Sequence, residues 1–369
     1  MVIGIDGNEA NVEKKVGIGE YAYELLLEFA KIQDERKVKF EIFLKENPRS
    51  EMPPPNSNLR YRTVGPKKMW TQFGLPLNLF LGKRPDIFFT PTHYAPRFSP
   101  IPTVISIMDL SFIHFPILFA KKDLYQLTNW TKYSVKNASK IFTISQFSKS
   151  DIIDVYGVDE GKIVVTYPGI KKPTSVRILS MDDLRKKFGI DKNYILFVGT
   201  LQPRKNIVKL IEAFSKIEKE NLILVVVGKK GWLYEDILSA PGRLGVGERV
   251  KFLDFVEDDD LPSLYKNALC FVLPSLYEGF GLPVLEAMKH GCPVLTSNVS
   301  SLPEAGGDAA IYFDPNNSDD IKEKIEKVIK NPSLRQEMIE KGYNQIKKFS
   351  WEKTAKETLK VLEELASNK

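Results

Sequence analysis

Short, nearly continuous apolar runs alternate along the chain with longer stretches in which apolar residues recur every three or four positions. The runs lie at 2–6, 40–44, 87–90, 103–108 and 140–144, and the periodic stretches at 19–31 and 124–137. A run of that length predicts a strand buried on both faces, and the longer period predicts a helix with one apolar stripe. Strand and helix in turn predict a parallel sheet covered on both sides by helices. A second series begins after the irregular Pro173-Thr174-Ser175 and a helix over 182–188, with strands at 194–198, 222–228, 250–253, 268–273, 293–297 and 311–313. Helices over 318–331 and 332–348 follow, and Ser350-Trp351-Glu352 reads as the cap and start of a last helix running to about 367. The predicted fold class is α/β, with doubly wound domains at 1–172 and 173–349 and a ligand site expected in the cleft between them.

Composition narrows the function. At 369 residues the chain is long for one core, and 43% hydrophobic with 27% charged residues is the balance of a soluble globular protein. No apolar run reaches the roughly 18 residues of a membrane span, and Met1-Val2-Ile3-Gly4-Ile5-Asp6 reads as a first strand rather than a leader. Cys270 and Cys292 are too few for a disulfide framework or a metal cage and read as buried thiols in a reducing cytoplasm. His93, His114 and His290 have no zinc spacing, so no metal or other cofactor is expected. The net charge of +6 is spread through the helices, which argues against nucleic acid as a partner. One segment, 67–84, is apolar and aromatic with basic ends. That pattern suits contact with an anionic membrane surface, but Gly74 and Pro76 interrupt a clean stripe and favour a core helix.

The chemistry concentrates in Glu278-Gly279-Phe280-Gly281-Leu282-Pro283-Val284-Leu285-Glu286, which follows the apolar strand ending Leu273-Pro274-Ser275. Proline near a first helical position predicts a helix starting close to Pro283, with Glu278 on the loop and Glu286 one turn inside. The N–H groups of Gly279, Phe280, Gly281 and Leu282 then lie at a helix N-terminus, where anions such as phosphate are favoured. The two carboxylates suit hydroxyls on either side of a bound diphosphate, the layout of a sugar nucleotide. Arg204 and Lys205 follow the strand-end Gly199-Thr200, and two adjacent fixed cations suit a diphosphate. Gly17-Ile18-Gly19 opens the first helix but lacks the third glycine of a dinucleotide fingerprint. Asp109 ends strand 103–108, where it either faces the cleft or caps the next turn; Ser145 reads as a helix cap. Gly228-Lys229-Lys230-Gly231 reads equally as a pocket border or a solvated turn.

Glu278 to Glu286 resembles the E-x7-E signature of the retaining glycosyltransferases of family 4. Gly17-Ile18-Gly19, Asp109-Leu110-Ser111-Phe112, Ser145-Gln146-Phe147-Ser148-Lys149, Pro168-Gly169-Ile170 and Gly199-Thr200-Leu201-Gln202-Pro203-Arg204-Lys205-Asn206 fall in the family's order. The resemblance implies the GT-B fold of two facing Rossmann-like domains, with helix 350–369 packing back on the first. It implies that the second domain holds the donor: Arg204 and Lys205 on the diphosphate, Glu286 on ribose, Glu278 and the 279–282 amides on the sugar, and main-chain groups near Val256 on the base. The first domain would bring Gly17, Gly19, Asp109 and Ser145 together with the acceptor. Where the family has His-Asp this chain has Met108-Asp109, which puts donor identity in question; His93 and His114 are the stand-in candidates. The segments at 109–112 and 145–152 look most like bacterial mannosyltransferases of surface-polysaccharide assembly. The implied function is transfer of a hexose, mannose from GDP-mannose first, to a glycan or lipid-linked acceptor in the cytoplasm, with peripheral contact at the inner membrane face. A nucleotide-sugar epimerase and a noncatalytic sugar-nucleotide-binding relative are the alternatives.

Overall fold

The computed structural model describes residues 1–32, 38–171 and 178–367. The chain forms two compact units, Met1–Gly169 with Phe349–Lys369, and Ile170–Lys348. The expected domain boundary at 172–173 and Pro173-Thr174-Ser175 lie outside the described residues.

In the first unit, β1 (Val2–Asp6), β2 (Lys39–Leu44), β3 (Leu59–Thr63), β4 (Ile87–Thr90), β5 (Thr103–Ser106), β6 (Lys140–Thr143) and β7 (Ile163–Val165) form one sheet in the order β3-β2-β1-β4-β5-β6-β7. Every pairing is parallel. In the second, β8 (Asn193–Val198), β9 (Leu222–Val227), β10 (Val250–Leu253), β11 (Cys270–Leu273), β12 (Val294–Ser297) and β13 (Ala310–Phe313) run in the order β10-β9-β8-β11-β12-β13, again all parallel. The central strands are largely apolar because helices cover both faces; β4, β9 and β11 are buried at every position. Cys270 and Cys292 are buried free thiols, and burial pushes Cys270 up to about 12, so neither is a nucleophile at neutral pH.

The edge strands β3 and β7 are absent from the pattern-based reading. Leu-Arg-Tyr-Arg-Thr alternates and buries only Leu59, and β7 is three residues long. The helix Trp351–Ser367 contributes Trp351, Ala355, Leu359 and Leu362 to the core that also holds Ile3, Ile5 and Phe29 of the first unit. Segment 67–84 departs from a simple core helix. Trp70–Gly74 makes a π-turn that runs into the α-helix Leu75–Leu81, so Trp70, Leu75 and Leu79, spaced by five and then four, share one buried face. The opposite face leaves Phe73, Leu77, Phe80 and Leu81 in solvent. Among the described residues no helix is long and apolar enough to cross a membrane.

Candidate active site

In the second sheet β8 and β11 are neighbours, yet the chain leaves β8 for β9 on one side and returns to β11 on the other. This reversal opens a crevice at the carboxyl ends of β8 and β11, the position where open parallel sheets bind ligands. The loops after those two strands carry the predicted residues. After β8 the backbone passes Gly199 so close to Gly228 that a Cβ on Gly228 would stand 2.0 Å from the Gly199 carbonyl oxygen. A single 3₁₀ turn, Pro203–Lys205, then presents both cations, and Asn206 in the left-handed region (φ 56°) starts the helix Ile207–Ser215. After β11 the chain turns through Tyr277 and Glu278 to Gly281, whose φ of 99° precedes the helix Leu282–Lys289. A side chain at Gly281 would be strained there and would meet Leu302 at 2.8 Å.

The two loops are joined by charge. Glu278 is buried, and its Oε1 accepts from Lys205 Nζ at 2.5 Å and from Ser275 Oγ at 2.6 Å. Its Oε2 accepts from Arg204 Nη1 at 3.1 Å, and Arg204 also donates to the Tyr277 carbonyl. The Leu276 N–H donates to the Arg204 carbonyl at 2.9 Å. Ser300 Oγ accepts from the Glu278 N–H at 3.1 Å, and Ser301 Oγ donates to the Glu278 carbonyl at 2.8 Å. Burial alone would push the Glu278 carboxyl up, but Lys205 and Arg204, with the bonds from Lys205 and Ser275, hold it down at about 2. The site is therefore a locked, ionised trio with Lys205 also buried. The sequence placed the cations on phosphate and Glu278 on sugar but did not reveal this mutual bonding or the roles of Ser275, Ser300 and Ser301.

Glu286 occupies a different setting. It is half-buried on the helix Leu282–Lys289, and its Oε2 accepts from Tyr265 Oη at 3.3 Å. Burial raises its carboxyl, a rise eased by Tyr265 and Lys171. The Tyr265 ring stacks on His290, which burial with Lys289 and Lys266 lowers to about 4. Val256 is buried just past β10, beside the exposed Phe255 over which Lys229 Nζ lies at 4.2 Å.

The candidates of the first unit sit at the carboxyl ends of β1, β4, β5 and β6. Gly17 (φ 52°) caps the helix Ile18–Ala30 and has open space where a Cβ would stand, whereas Gly19 is buried against the Glu9 carbonyl. Asp109 Oδ1 accepts from the Ser111 N–H at 2.9 Å, a local turn that leads into the short helix Ser111–His114. Ser145 is fully buried: its Oγ accepts from the Ser148 N–H at 3.0 Å and donates to Ser148 Oγ at 2.9 Å, so its hydroxyl serves as a helix cap rather than an exposed contact. Met108 packs against the first core, and its carbonyl accepts from Ser148 Oγ. His114 Nε2 is bonded to Asp151 at 2.8 Å. His93 lies with its ring 5.9 Å from that of Phe112, and burial lowers its pKa against the pull of Asp109. Asp6, at the end of β1, was not foreseen; burial raises it to about 6 despite bonds from Asn8. Among the described residues no three His, Cys, Asp or Glu side chains gather in a metal-holding cluster.

Comparison with known proteins gives these geometries a context. The family model for glycosyl transferases group 1 matches residues 180–345, and that for glycosyltransferase family 4 matches residues 17–172. The O-antigen chain mannosyltransferase B of Escherichia coli is 35% identical over 279 residues, 74% of this chain and 73% of that one. Two solved structures share the fold at lower identity. Sucrose-phosphate synthase from Thermosynechococcus elongatus superposes with a TM-score of 0.75 at 16% identity over the full length of both chains. Anabaena HepE in complex with UDP superposes at 0.70 and 20% identity, covering 98% of this chain and 99% of that one.

Proposed function

Because the chain belongs to the group 1, family 4 glycosyltransferases and has their GT-B fold, we propose that this glycosyltransferase moves a hexose from a nucleoside diphosphate to an acceptor hydroxyl with retention at the anomeric carbon. The first donor is GDP-mannose and the acceptor a glycan or lipid-linked sugar, a reading supported by the likeness to an O-antigen chain mannosyltransferase. The observation that carries it is the Arg204-Lys205-Glu278 trio at the β8/β11 switch point, with Lys205 and Glu278 buried. Glu278 balances only one of the two fixed cations, and a donor diphosphate supplies further negative charge. On its arrival the phosphates compete with Glu278 for the cations, and the displaced carboxylate is left to accept from sugar hydroxyls. Amides at the start of the helix Leu282–Lys289 add their dipoles, and Glu286 takes the ribose hydroxyls.

As the bond between the anomeric carbon and the diphosphate oxygen breaks, its electron pair goes to that oxygen. Arg204 and Lys205, by then engaged by the diphosphate, stabilise the new charge. The acceptor oxygen bonds to the same face of the carbon, and its proton passes to the leaving phosphate. No protein nucleophile is assigned. Gly17, Gly19, Asp109 and Met108 of the first unit are placed on the acceptor and sugar, and the two reduced thiols fit work in the cytoplasm. The test is a panel of sugar nucleotides screened by thermal shift and then by transfer, with the product's anomeric configuration read by NMR. GDP-mannose at about 100 times its Kd should add about 2.7 kcal/mol to stability. If no sugar nucleotide stabilises the protein, the donor site is misassigned; an inverted product would remove retention.

A further inference from the structure

A carboxylate that takes ribose hydroxyls must be ionised and must point one way. One side chain supplies both conditions at Glu286. Among the described residues the Tyr265 hydroxyl is the one hydrogen-bond donor to that carboxylate; it reaches Oε2 at 3.3 Å and leaves Oε1 for a ligand. Tyr265 is itself fixed. It is 1% exposed, its ring lies edge-on to Phe271 at 5.5 Å, and its other neighbour is the stacked His290 at 5.9 Å. The helix that carries it, Leu261–Asn267, is tied down at three residues. Tyr194 Oη donates to the Leu264 carbonyl at 2.6 Å, Ser263 Oγ accepts from the Leu179 N–H at 2.9 Å, and Asn267 Nδ2 donates to the Leu179 carbonyl at 3.1 Å.

Burial drives the Tyr265 phenol well above its ordinary range, so the hydroxyl stays a donor throughout the physiological range. Burial also raises Glu286, and the bond from Tyr265 is the foremost influence that opposes it, ahead of Lys171. Lys171, Asp258 and Lys289 face the carboxylate as well, but they are engaged with one another: Lys171 Nζ lies 3.8 Å from Asp258, and Lys289 Nζ donates to the Lys171 carbonyl at 2.8 Å. His290, lowered to about 4, is uncharged at neutral pH and acts on Tyr265 only through its ring. A carboxylate held by one oxygen loses little freedom when the other takes a hydroxyl, so the ordering is complete before the nucleotide arrives. Resting on the assignment of Glu286 to ribose, we propose that Tyr265 is the positioning residue of that subsite. It aims Glu286 at the ribose hydroxyls and so makes the donor site discriminate a ribonucleotide from its deoxygenated counterpart.

Calorimetric titration of the full chain with GDP and UDP, each against its 2′,3′-dideoxy counterpart, tests it, because phosphate and base contacts cancel in the ratio of the two Kd values. The wild type should favour the ribose form of the nucleotide it binds. Tyr265→Phe keeps the ring and both of its aromatic contacts, and should lower that preference about fivefold, the order of one hydrogen bond. KM for the donor should rise with kcat unchanged, the mark of binding lost equally from ground and transition states. The preference should grow with pH as Glu286 ionises, and the midpoint should move to higher pH in Tyr265→Phe, since the bond that lowers Glu286 is gone. Added to Glu286→Gln, Tyr265→Phe should change the preference no further. A ring-fluorinated tyrosine at position 265, more acidic and so a stronger donor of nearly the same shape, should raise the preference, and it carries the test if Tyr265→Phe unfolds. If Glu286→Gln loses the preference while Tyr265→Phe keeps the wild-type ratio and midpoint, Tyr265 is a packing residue and the proposal falls alone. Wild-type preference in Glu286→Gln would overturn the proposal together with the ribose assignment.

Discussion

The two sheets share one topology, with a central pair of strands at which the winding reverses, but their crevices are electrostatic opposites. At β8/β11 the groups are permanently charged and tied to one another, with Glu278 held down at about 2 between Lys205 and Arg204. At β1/β4 burial instead pushes the charged forms out: Asp6 rises to about 6 and His93 falls below its ordinary value. One crevice stores fixed charge and the other stores groups that titrate. The difference follows from partners. Two cations outweigh desolvation at Glu278, whereas Asp6 has only Asn8 and a more distant Lys45. A diphosphate is best met by the first kind of site, because its charge does not change with pH near neutrality.

Breaking the trio should give the largest effect. Lys205→Met leaves Glu278 buried with one cation of two, and removing a partner from a buried ion pair costs about 3–5 kcal/mol. Denaturant unfolding should show that loss in the free protein, and donor transfer should fall by at least about 100-fold. Lys205→Met with Glu278→Gln should recover much of the stability and none of the transfer. A Lys205→Met protein as stable as wild type would mean that solvent, not Lys205, satisfies Glu278.

The contrast between the crevices also predicts opposite pH dependences. Glu278 falls from an ordinary 4.5 to about 2, so its contribution is complete above pH 4.5 and is lost as pH drops towards 2. Asp6 rises from 3.8 to about 6, so its contribution is complete below pH 3.8 and is lost as pH rises through 6. Each shift corresponds to about 3 kcal/mol. Glu278→Gln should therefore flatten the acid limb of the stability profile, and Asp6→Asn should stabilise the protein above pH 6. Two profiles that move in the same direction would end the contrast.

Smaller again is the effect at Glu286, whose raised carboxyl shows that its ionised form is held at a cost before ligand arrives. Glu286→Gln should weaken a free nucleoside diphosphate about 10-fold, the value of one charged hydrogen bond, while leaving the unliganded protein as stable or more so. Glu278→Gln should do the reverse: it removes the anion that competes for Arg204 and Lys205, so nucleotide affinity holds or rises while turnover falls. Calorimetric titration of both variants separates the two carboxylates, and equal losses of nucleotide affinity would merge their roles.

How much of this was legible in the sequence depends on range. Apolar runs buried on both faces betray themselves locally, which is why 2–6 and 87–90 match β1 and β4 end to end. The polar alternation of Arg60 and Arg62 in β3 and the brevity of β7 hid two edge strands. Arg204, Lys205 and Glu278 were each readable from a strand-end position. Their bonding was not, because 73 residues separate Lys205 from Glu278 and only the β8/β11 pairing brings them together. Ser145 was ambiguous for a physical reason: the same hydroxyl suits a cap or a ligand, and only the 3.0 Å bond from the Ser148 N–H decides. The π-turn at Trp70–Gly74 left no local signal that separates a five-residue offset from an α-helical one.

The smallest expected effect tests the titrating crevice where the chain departs from its family. Met108 packs on the first core with its carbonyl bonded to Ser148, and a thioether is a weak acceptor and no donor. It cannot replace an imidazole on a sugar hydroxyl. His114 is engaged with Asp151, which leaves His93 as the imidazole near Asp109 in this crevice. If the Met108 side chain is adjacent to the donor's C6, Met108→His should raise transfer from a donor with a C6 hydroxyl relative to its 6-deoxy counterpart, by about 0.5–1.5 kcal/mol for one neutral hydrogen bond. His93→Ala should lower that ratio if His93 supplies the bond in the wild type, and adding Met108→His should restore it. The quantity to measure is the ratio of kcat/KM for the two donors, since a packing defect lowers both alike. An unchanged ratio in all three variants would make Met108 a core residue and leave the hydroxyl to the fixed charges of the other crevice.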